Sequence, residues 1–127
     1  MRIYDTLSGE KKEFAPWDGQ TVRLYVCGVT PYDTTHVGHA MVYVFFDVVN
    51  RYCQYLGWRV KYVQNVTDID DSIIERAQRD NEDWMELGSR QTRRLVEDLS
   101  ALNVLWPSVF PRASEECEMI IEITSKL

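Results

Sequence analysis

The amino-acid sequence predicts an α/β domain in which a parallel sheet carries flanking helices. Three observations support this class: an apolar strand, an amphipathic helix that follows it, and a second apolar strand after the helix. This order forms a βαβ unit, whose crossover makes the two strands parallel. With 127 residues, of which 45% are apolar, the chain has the size of one domain with its own core. No repeat or linker divides residues 1–127, which are predicted to form a single unit.

The first strand and the helix after it are predicted from two periodicities. In the segment TVRLYVCGV, which begins at Thr21, residues alternate with a period of two, and both alternating sets are partly apolar. This pattern indicates a strand that is buried on two faces. Apolar residues then recur at steps of three and four, which indicates a helix that ends at Gly57. They are Met41, Phe45, Val48, Val49, Tyr52 and Leu56.

The second strand is predicted from Trp58 to Val66, and three helices follow it. The segment TDIDDSIIERAQRD opens with carboxylates that suit the positive end of a helix, and its Ser72 and Glu75 have the spacing of a capping box. The next helix is predicted along Asp83 to Asn103, with an amphipathic face at Trp84, Leu87, Gln91, Leu95, Leu99 and Leu102. After a loop with two prolines, a final helix is predicted from Ser114 to the chain end, with apolar positions at Cys117, Ile120, Ile121, Thr124 and Leu127.

The composition argues against several classes of function. The formal net charge of −6 lacks the basic excess that drives phosphate neutralisation, so any RNA contact must be local or supplied by something else. No apolar run approaches the roughly 20 residues of a membrane span, and the N-terminus is too polar for a signal peptide. We therefore expect a cytoplasmic protein that contacts no membrane. The odd number of cysteines, without a CxxC pair, favours reduced thiols.

Polar residues follow both predicted strands, at the points where each strand ends. Ligands of open α/β sheets bind outside the carboxyl ends of the strands, so these residues should converge. After the first strand they are Cys27, Gly28, Thr30, Tyr32, Asp33, Thr34, Thr35, His36 and His39, and after the second they are Asn65, Thr67, Asp68, Asp70 and Asp71.

Two histidines lie at the start of the predicted crossover helix, where free backbone N–H groups favour an anion. N–H donors from His36 and His39 would suit a phosphoryl group that gains charge in its transition state. Gly38 between them would let a flat ligand approach the backbone. The glycine spacing matches neither GxxxxGK[ST] nor GxGxxG. The pattern predicts a phosphate site of another type.

Each candidate residue also has an ordinary structural interpretation. Either histidine taken singly is more often a helix cap or a surface residue, and Cys27 is more often a buried strand thiol. Asp70 and Asp71 serve equally well as solvated helix caps. Metal binding by the two histidines is a weaker alternative, because no Cys or carboxylate at metal spacing completes the site.

The segments YVCGVTPYDTTHVGHA and YVQNVTDIDD resemble cysteinyl-tRNA synthetase, a family of class I aminoacyl-tRNA synthetases. HVGH resembles the HIGH signature of that class, and the resemblance extends from IYDTLSGEKKEF to the final helix. It implies the first half of a Rossmann-like catalytic, nucleotide-binding domain, without an anticodon-binding domain. It also implies ATP-dependent activation of cysteine to cysteinyl adenylate, followed by transfer to tRNA-Cys.

The resemblance also implies roles for individual residues. Thr30, His36, Gly38 and His39 match positions that bind ATP, and the two histidines match those that stabilise the pentavalent phosphorus. Gly28 and Thr67 match positions in the amino-acid pocket. Cys27 matches the first ligand of the family's zinc, which binds the substrate thiolate.

The chain departs from the family pattern in two respects. Pro31 and the pair Thr34 and Thr35 resemble instead a related ligase, which joins cysteine to glucosaminyl-inositol in mycothiol synthesis. In addition, the other zinc ligands, the KMSKS-like signature and the tRNA-binding helical domain of the family match nothing in the chain. A fragment that needs a missing half is therefore expected, with a zinc site that is incomplete here. The alternative is a non-catalytic nucleotide-binding module. Surfaces left open by a missing half would favour self-association.

Overall fold

The computed structural model describes residues 1–127. Its strands are β1 (Arg2–Asp5), β2 (Glu10–Glu13), β3 (Thr21–Val26) and β4 (Arg59–Gln64). Its helices are α1 (Val37–Tyr55), α2 (Asp71–Asp80), α3 (Trp84–Ala101) and α4 (Cys117–Thr124), with a short 3₁₀ turn at Ala113–Glu115. The chain order is β1, β2, β3, α1, β4, α2, α3, α4, and none of the helices combines the length and apolarity that a membrane crossing requires.

The predicted βαβ unit is confirmed. Strands β3 and β4 are parallel, in a register that pairs Thr21 with Arg59 and Val26 with Gln64, and α1 connects them. On the side of β4 that faces away from β3, single bridges join Val63 to Val109 and Val66 to Arg112. Strand β3 therefore lies at one edge of this sheet, with no partner on its outer side.

A second, antiparallel sheet of β1 and β2 was not predicted. Its register pairs Arg2 with Glu13 and Asp5 with Glu10, and the turn between the strands contains Gly9 at a φ of +70°. All four residues of β2 are charged and exposed, so the alternation that identifies a half-buried strand is absent.

Two small apolar clusters form the core. Val26, Tyr43, Tyr62, Leu95 and Leu99 join β3, α1, β4 and α3. Burial raises the pKa of both tyrosine hydroxyls to about 12. The second cluster, Ile73, Ala77 and Leu87, joins α2 to α3.

The apolar stripe of α1 faces solvent for most of its length. Met41, Phe45 and Val48 are 71%, 63% and 60% exposed, although such a stripe ordinarily faces the core. The buried positions of α1 are Tyr43, Asp47, Asn50 and Cys53.

Hydrogen-bond partners explain how α1 can bury the face that contains Asp47. Asp47 Oδ2 accepts a hydrogen bond from Arg51 Nε at 2.7 Å, and Asp47 Oδ1 accepts one from the backbone N–H of Leu105 at 2.9 Å. Arg51 also donates to the carbonyl of Asn103 at 2.7 Å. A buried carboxylate is tolerated because it is paired and hydrogen-bonded, and these contacts attach the loop after α3 to α1.

Two predicted helix ends differ from those observed. The N-cap of α2 is Asp70, whose Oδ1 accepts from the N–H of Ser72 at 2.9 Å, so the capping box predicted for Ser72 and Glu75 is wrong. Helix α4 ends at Thr124, and its apolar residues are exposed, as is Leu127 beyond it. The end predicted for α1 is confirmed, since Gly57 follows it at a φ of +84°.

Candidate functional site

Both candidate histidines cap helix α1. His36 is the N-cap, in an extended conformation, and its Nδ1 accepts a hydrogen bond from the N–H of Gly38 at 3.1 Å. The backbone N–H of His36 donates to Nδ1 of His39 at 3.4 Å. The two side chains thus satisfy two backbone donors reciprocally, as in a capping box. Both histidines therefore act as helix caps, which is the ordinary structural role that the sequence also allowed for them.

The capping bonds also determine which ring atoms remain available. A neutral imidazole that accepts at Nδ1 carries its proton on Nε2, so His36 and His39 each keep an Nε2–H donor. The rings stack with centroids 3.9 Å apart and planes inclined by 22°. His36 is exposed and His39 is half-buried. Two parallel donors therefore lie at the positive end of a 19-residue helix, where an anionic group is favoured.

Gly38 makes room for the His36 ring. A Cβ built on Gly38 would lie 2.9 Å from His36 Cε1 and 3.0 Å from His36 Nδ1. A side chain at this position would displace the ring from its capping geometry. Gly38 thus leaves room for a neighbouring side chain, and the approach of a flat ligand stays a prediction.

An open groove of about 320 Å³ lies beside His36, between the start of α1 and the end of α3. Leu95 and Leu99 line its apolar part. At its rim, Thr35 Oγ1 donates to Asp98 Oδ2 at 2.9 Å. This bond attaches the turn before α1 to α3, so the position of His36 depends on both helices.

The ends of β3 and β4 converge as predicted, and Asn65 joins them. The N–H of Gly28 donates to Asn65 Oδ1 at 2.7 Å, and a Cβ on Gly28 would lie 1.7 Å from the Asn65 carbonyl oxygen. The backbone N–H of Thr67 donates to the Val29 carbonyl at 3.1 Å. Gly28 and Thr67, the predicted amino-acid-binding pair, are therefore brought together.

Cys27 follows β3 with an exposed thiol, so its interpretation as a buried strand thiol is wrong. Its carbonyl accepts from the hydroxyl of buried Tyr43 at 3.5 Å. The other cysteines, Cys53 and Cys117, are free as well. No group of three or more His, Cys, Asp or Glu side chains could hold a metal ion. The residues of this chain therefore do not fit a complete zinc site, which ordinarily has three or four protein ligands.

The remaining acidic candidates have structural partners. Asp68 is buried and accepts from the backbone and hydroxyl of Ser114 at 3.0 and 2.7 Å. Asp33 pairs with Arg76 at 2.8 Å. The N–H of Thr34 and the Arg76 guanidinium lower the pKa of the Asp33 carboxyl. Asp70 caps α2, which is the structural role considered for it.

Thr30 lies half-buried in the turn between β3 and α1. Its carbonyl accepts from the N–H of Tyr32 at 3.0 Å. Thr30 thus lies in the chain between the end of β3 and the two histidines, and its contact with ATP stays a prediction.

Comparison with known families identifies the group of proteins to which the chain is related. The family described as tRNA synthetases class I (C) catalytic domain matches residues 13–127. The chain belongs to this family. Membership of the class I synthetases confirms the resemblance found in the sequence and the predicted α/β class.

Two kinds of curated relative match this class I synthetase chain over its full length. The L-cysteine:1D-myo-inositol 2-amino-2-deoxy-alpha-D-glucopyranoside ligase of Saccharomonospora viridis is 50% identical over 127 residues. The cysteine–tRNA ligase of an Enterobacter species is 46% identical over 127 residues. The chain spans 30% of the length of the first relative and 28% of the second.

A solved structure shares the fold. Methionyl-tRNA synthetase of Mycobacterium tuberculosis, in complex with methionyl-adenylate, has a TM-score of 0.66 at 18% sequence identity. The similarity covers 68% of this chain and 17% of that one. At this identity the likeness shows the class I fold.

Proposed function

We propose that the chain carries the ATP- and cysteine-binding part of a ligase that activates cysteine. A carboxylate oxygen of cysteine attacks the α-phosphorus of ATP, and pyrophosphate leaves, which gives cysteinyl adenylate. The two kinds of relative support this reaction because both names specify a ligase of cysteine. The observation that carries the proposal is the stacked pair of Nε2–H donors at the start of α1.

In this reaction the residues at the start of α1 contact ATP. His36 and His39 donate from Nε2 to the phosphoryl oxygens, whose negative charge grows in the transition state. Gly38 keeps the His36 ring in place, and Thr30 contributes its hydroxyl from the preceding turn. The positive end of the α1 dipole attracts the same anion. ATP is therefore a substrate, and the chain supplies positioning and charge stabilisation.

The amino acid binds at the ends of β3 and β4, between Gly28 and Thr67. Cys27 would supply one ligand to a zinc ion, which would hold the substrate thiolate when bound. The other ligands would come from residues that correspond to the rest of the relatives' length.

The acceptor of the activated cysteine distinguishes two forms of the proposal. In the first, the terminal ribose of tRNA-Cys attacks the carbonyl carbon of the adenylate and AMP leaves. In the second, the amine of glucosaminyl-inositol attacks and forms an amide. The 50% identity to the glucosaminyl-inositol ligase and the 46% identity to the tRNA ligase support both. With a net charge of −6, any contact of this chain with tRNA would be local or supplied by other residues.

Cysteine-dependent pyrophosphate exchange tests the proposal. The chain should show little exchange by itself, because the relatives use more than three times its length and catalysis depends on positioning. Adding the part of a relative that this chain does not cover, about 70% of its length, in one chain or as a separate polypeptide, should restore exchange. Charging of tRNA-Cys would then favour the first form, and amide formation the second. A completed chain that activates no amino acid would contradict the proposal and favour a non-catalytic nucleotide-binding module.

We also propose that the protein acts in the cytoplasm and that the isolated chain associates with itself. The reduced state expected for its three cysteines supports the first point. The exposed apolar face of α1 and the unpaired edge of β3 support the second, because both favour association.

A further inference from the structure

One carboxamide, that of Asn65, makes three hydrogen bonds at the ends of β3 and β4. Its Oδ1 accepts from the N–H of Gly28 at 2.7 Å and from the hydroxyl of Tyr25 at 3.0 Å. Its Nδ2 donates to Thr67 Oγ1 at 3.4 Å. No other side chain contacts both strand ends through its polar atoms in this way, and Asn65 itself is only half-buried.

The orientation of this carboxamide is determined by its neighbours. The backbone N–H of Gly28 can only donate, so the group that faces it must be Oδ1 and not the amide nitrogen. The amide nitrogen must then face Thr67. Because Gly28 cannot carry a Cβ, the short contact between the two strand ends is preserved only when position 28 is glycine.

This orientation determines what Thr67 offers to a ligand. The hydroxyl oxygen of Thr67 accepts from Asn65, and the backbone N–H of Thr67 is occupied by the Val29 carbonyl. No hydrogen bond from the Thr67 hydroxyl to a protein acceptor accompanies this contact, so its hydrogen is free to be donated. Thr67 is thus left as a hydrogen-bond donor at the strand ends.

We propose that Asn65 is the positioning residue of the amino-acid site. Through Thr67 it makes the site select a ligand atom that accepts a hydrogen bond, such as a carboxylate oxygen or a thiolate sulfur. The inference rests on the proposed function for the identity of the ligand. The orientation of the Thr67 hydroxyl follows from the contacts of the chain itself.

The variant Asn65→Asp separates positioning from support of the fold. It retains an oxygen for Gly28 and for Tyr25, but it replaces the donor that faces Thr67 with an acceptor. The Thr67 hydroxyl would then donate to the new carboxylate and no longer to the ligand. NMR titration measures the affinity of the 127-residue chain for L-cysteine. The variant should bind L-cysteine about fivefold to tenfold more weakly, as expected for the loss of one hydrogen bond.

A double-mutant cycle with Thr67→Val controls for the added charge. If Asn65 acts through Thr67, Asn65→Asp should have little further effect on L-cysteine binding in the Thr67→Val background. An equal loss of binding in both backgrounds would overturn the proposal, because the effect would then come from the charge or from the fold. Gln78→Glu, which adds the same charge on α2 away from the site, should leave binding unchanged.

The orientation of Thr67 can be tested by NMR without any ligand, so this test does not depend on the proposed function. Thr67→Val should shift the side-chain amide resonances of Asn65 and leave those of Gln78 on α2 in place. Unmoved Asn65 resonances would overturn the orientation proposed for Thr67. If the unaltered chain bound no L-cysteine, the proposed function would fail, whereas the resonances would still decide the orientation.

Discussion

His36 and His39 combine a capping role with the donors proposed for ATP, and substitutions can separate the two. His36→Ala should destabilise the chain by about 1 kcal/mol, the usual loss for an N-cap. His36→Asn retains a capping oxygen and should keep the stability, but it removes the Nε2–H donor. Urea unfolding measures the first effect, and pyrophosphate exchange in the completed enzyme measures the second.

The same logic applies to His39, where Gln can retain the capping box. His39→Gln and His39→Ala should both lower exchange more than they lower ATP binding, because the proposed contact strengthens in the transition state. If exchange were unchanged in the completed enzyme with either histidine replaced, the two residues would act only as caps.

Cys27 is exposed and belongs to no group of three or more potential metal ligands, so the chain should bind zinc weakly and substoichiometrically. Elemental analysis of protein prepared without chelators measures this occupancy. Cys53→Ser is the matched control, since that thiol is buried. One tightly held zinc per chain, lost in Cys27→Ser, would show that other residues or a second chain complete the site.

Residue roles were predictable where they depend on local spacing. Two histidines around a glycine at a helix start indicate a cap or an anion site from the sequence itself. The role of Asn65 was not predictable, because its partner Gly28 is 37 positions away and the pair is recognisable only after the strands align. The contact between Gly38 and the His36 ring was also not predictable, since it depends on the rotamer of His36.

At the level of whole elements, helix α2 contains an ion-pair network that depends on pH. Hydrogen bonds from Arg79 and Arg76 lower the pKa of Asp80 from 3.8 to about 2. A carboxyl group whose pKa is lower in the folded state stabilises the fold above its unfolded pKa. This contribution should be lost as the pH falls from about 4 to about 2.

Thermal unfolding of the wild type and of Asp80→Asn over this pH range measures the contribution. The melting temperatures should differ at pH 6 and converge near pH 2. The difference should be small, because the pair is exposed to solvent screening. A difference that stays constant with pH would mean that the asparagine acts through packing.

The parallel pair and the end of α1 followed from periodicity, which reports burial averaged over an element. The face that α1 buries did not follow from it. Periodicity cannot anticipate that Asp47 is buried because it accepts from Leu105 in the loop after α3 and from Arg51 one turn further along α1. Strand β2 was missed for the opposite reason, since its four charged residues bury nothing.

On the scale of the whole molecule, the exposed apolar face of α1 should produce self-association. Phe45→Glu introduces a charge in the middle of that face, where Phe45 is 63% exposed. Sedimentation velocity should show a smaller associated fraction for this variant than for the wild type. Gln78→Glu, which adds the same charge on α2, is the matched control. A wild-type chain that remains monomeric at high concentration would contradict this prediction.

The parallel pairing of β3 with β4 has a consequence for synthesis on the ribosome. Thr21 pairs with Arg59, so 38 residues must be added after the first strand residue before its partner exists. At about 5 to 20 residues per second this interval lasts about 2 to 8 seconds. The hairpin of β1 and β2 and the residues of α1 are made before Arg59, whereas α3 begins 25 residues after it. During that interval the apolar β3 lacks both its partner strand and the cover of α3, so nascent chains are most exposed to aggregation or chaperone binding at this stage.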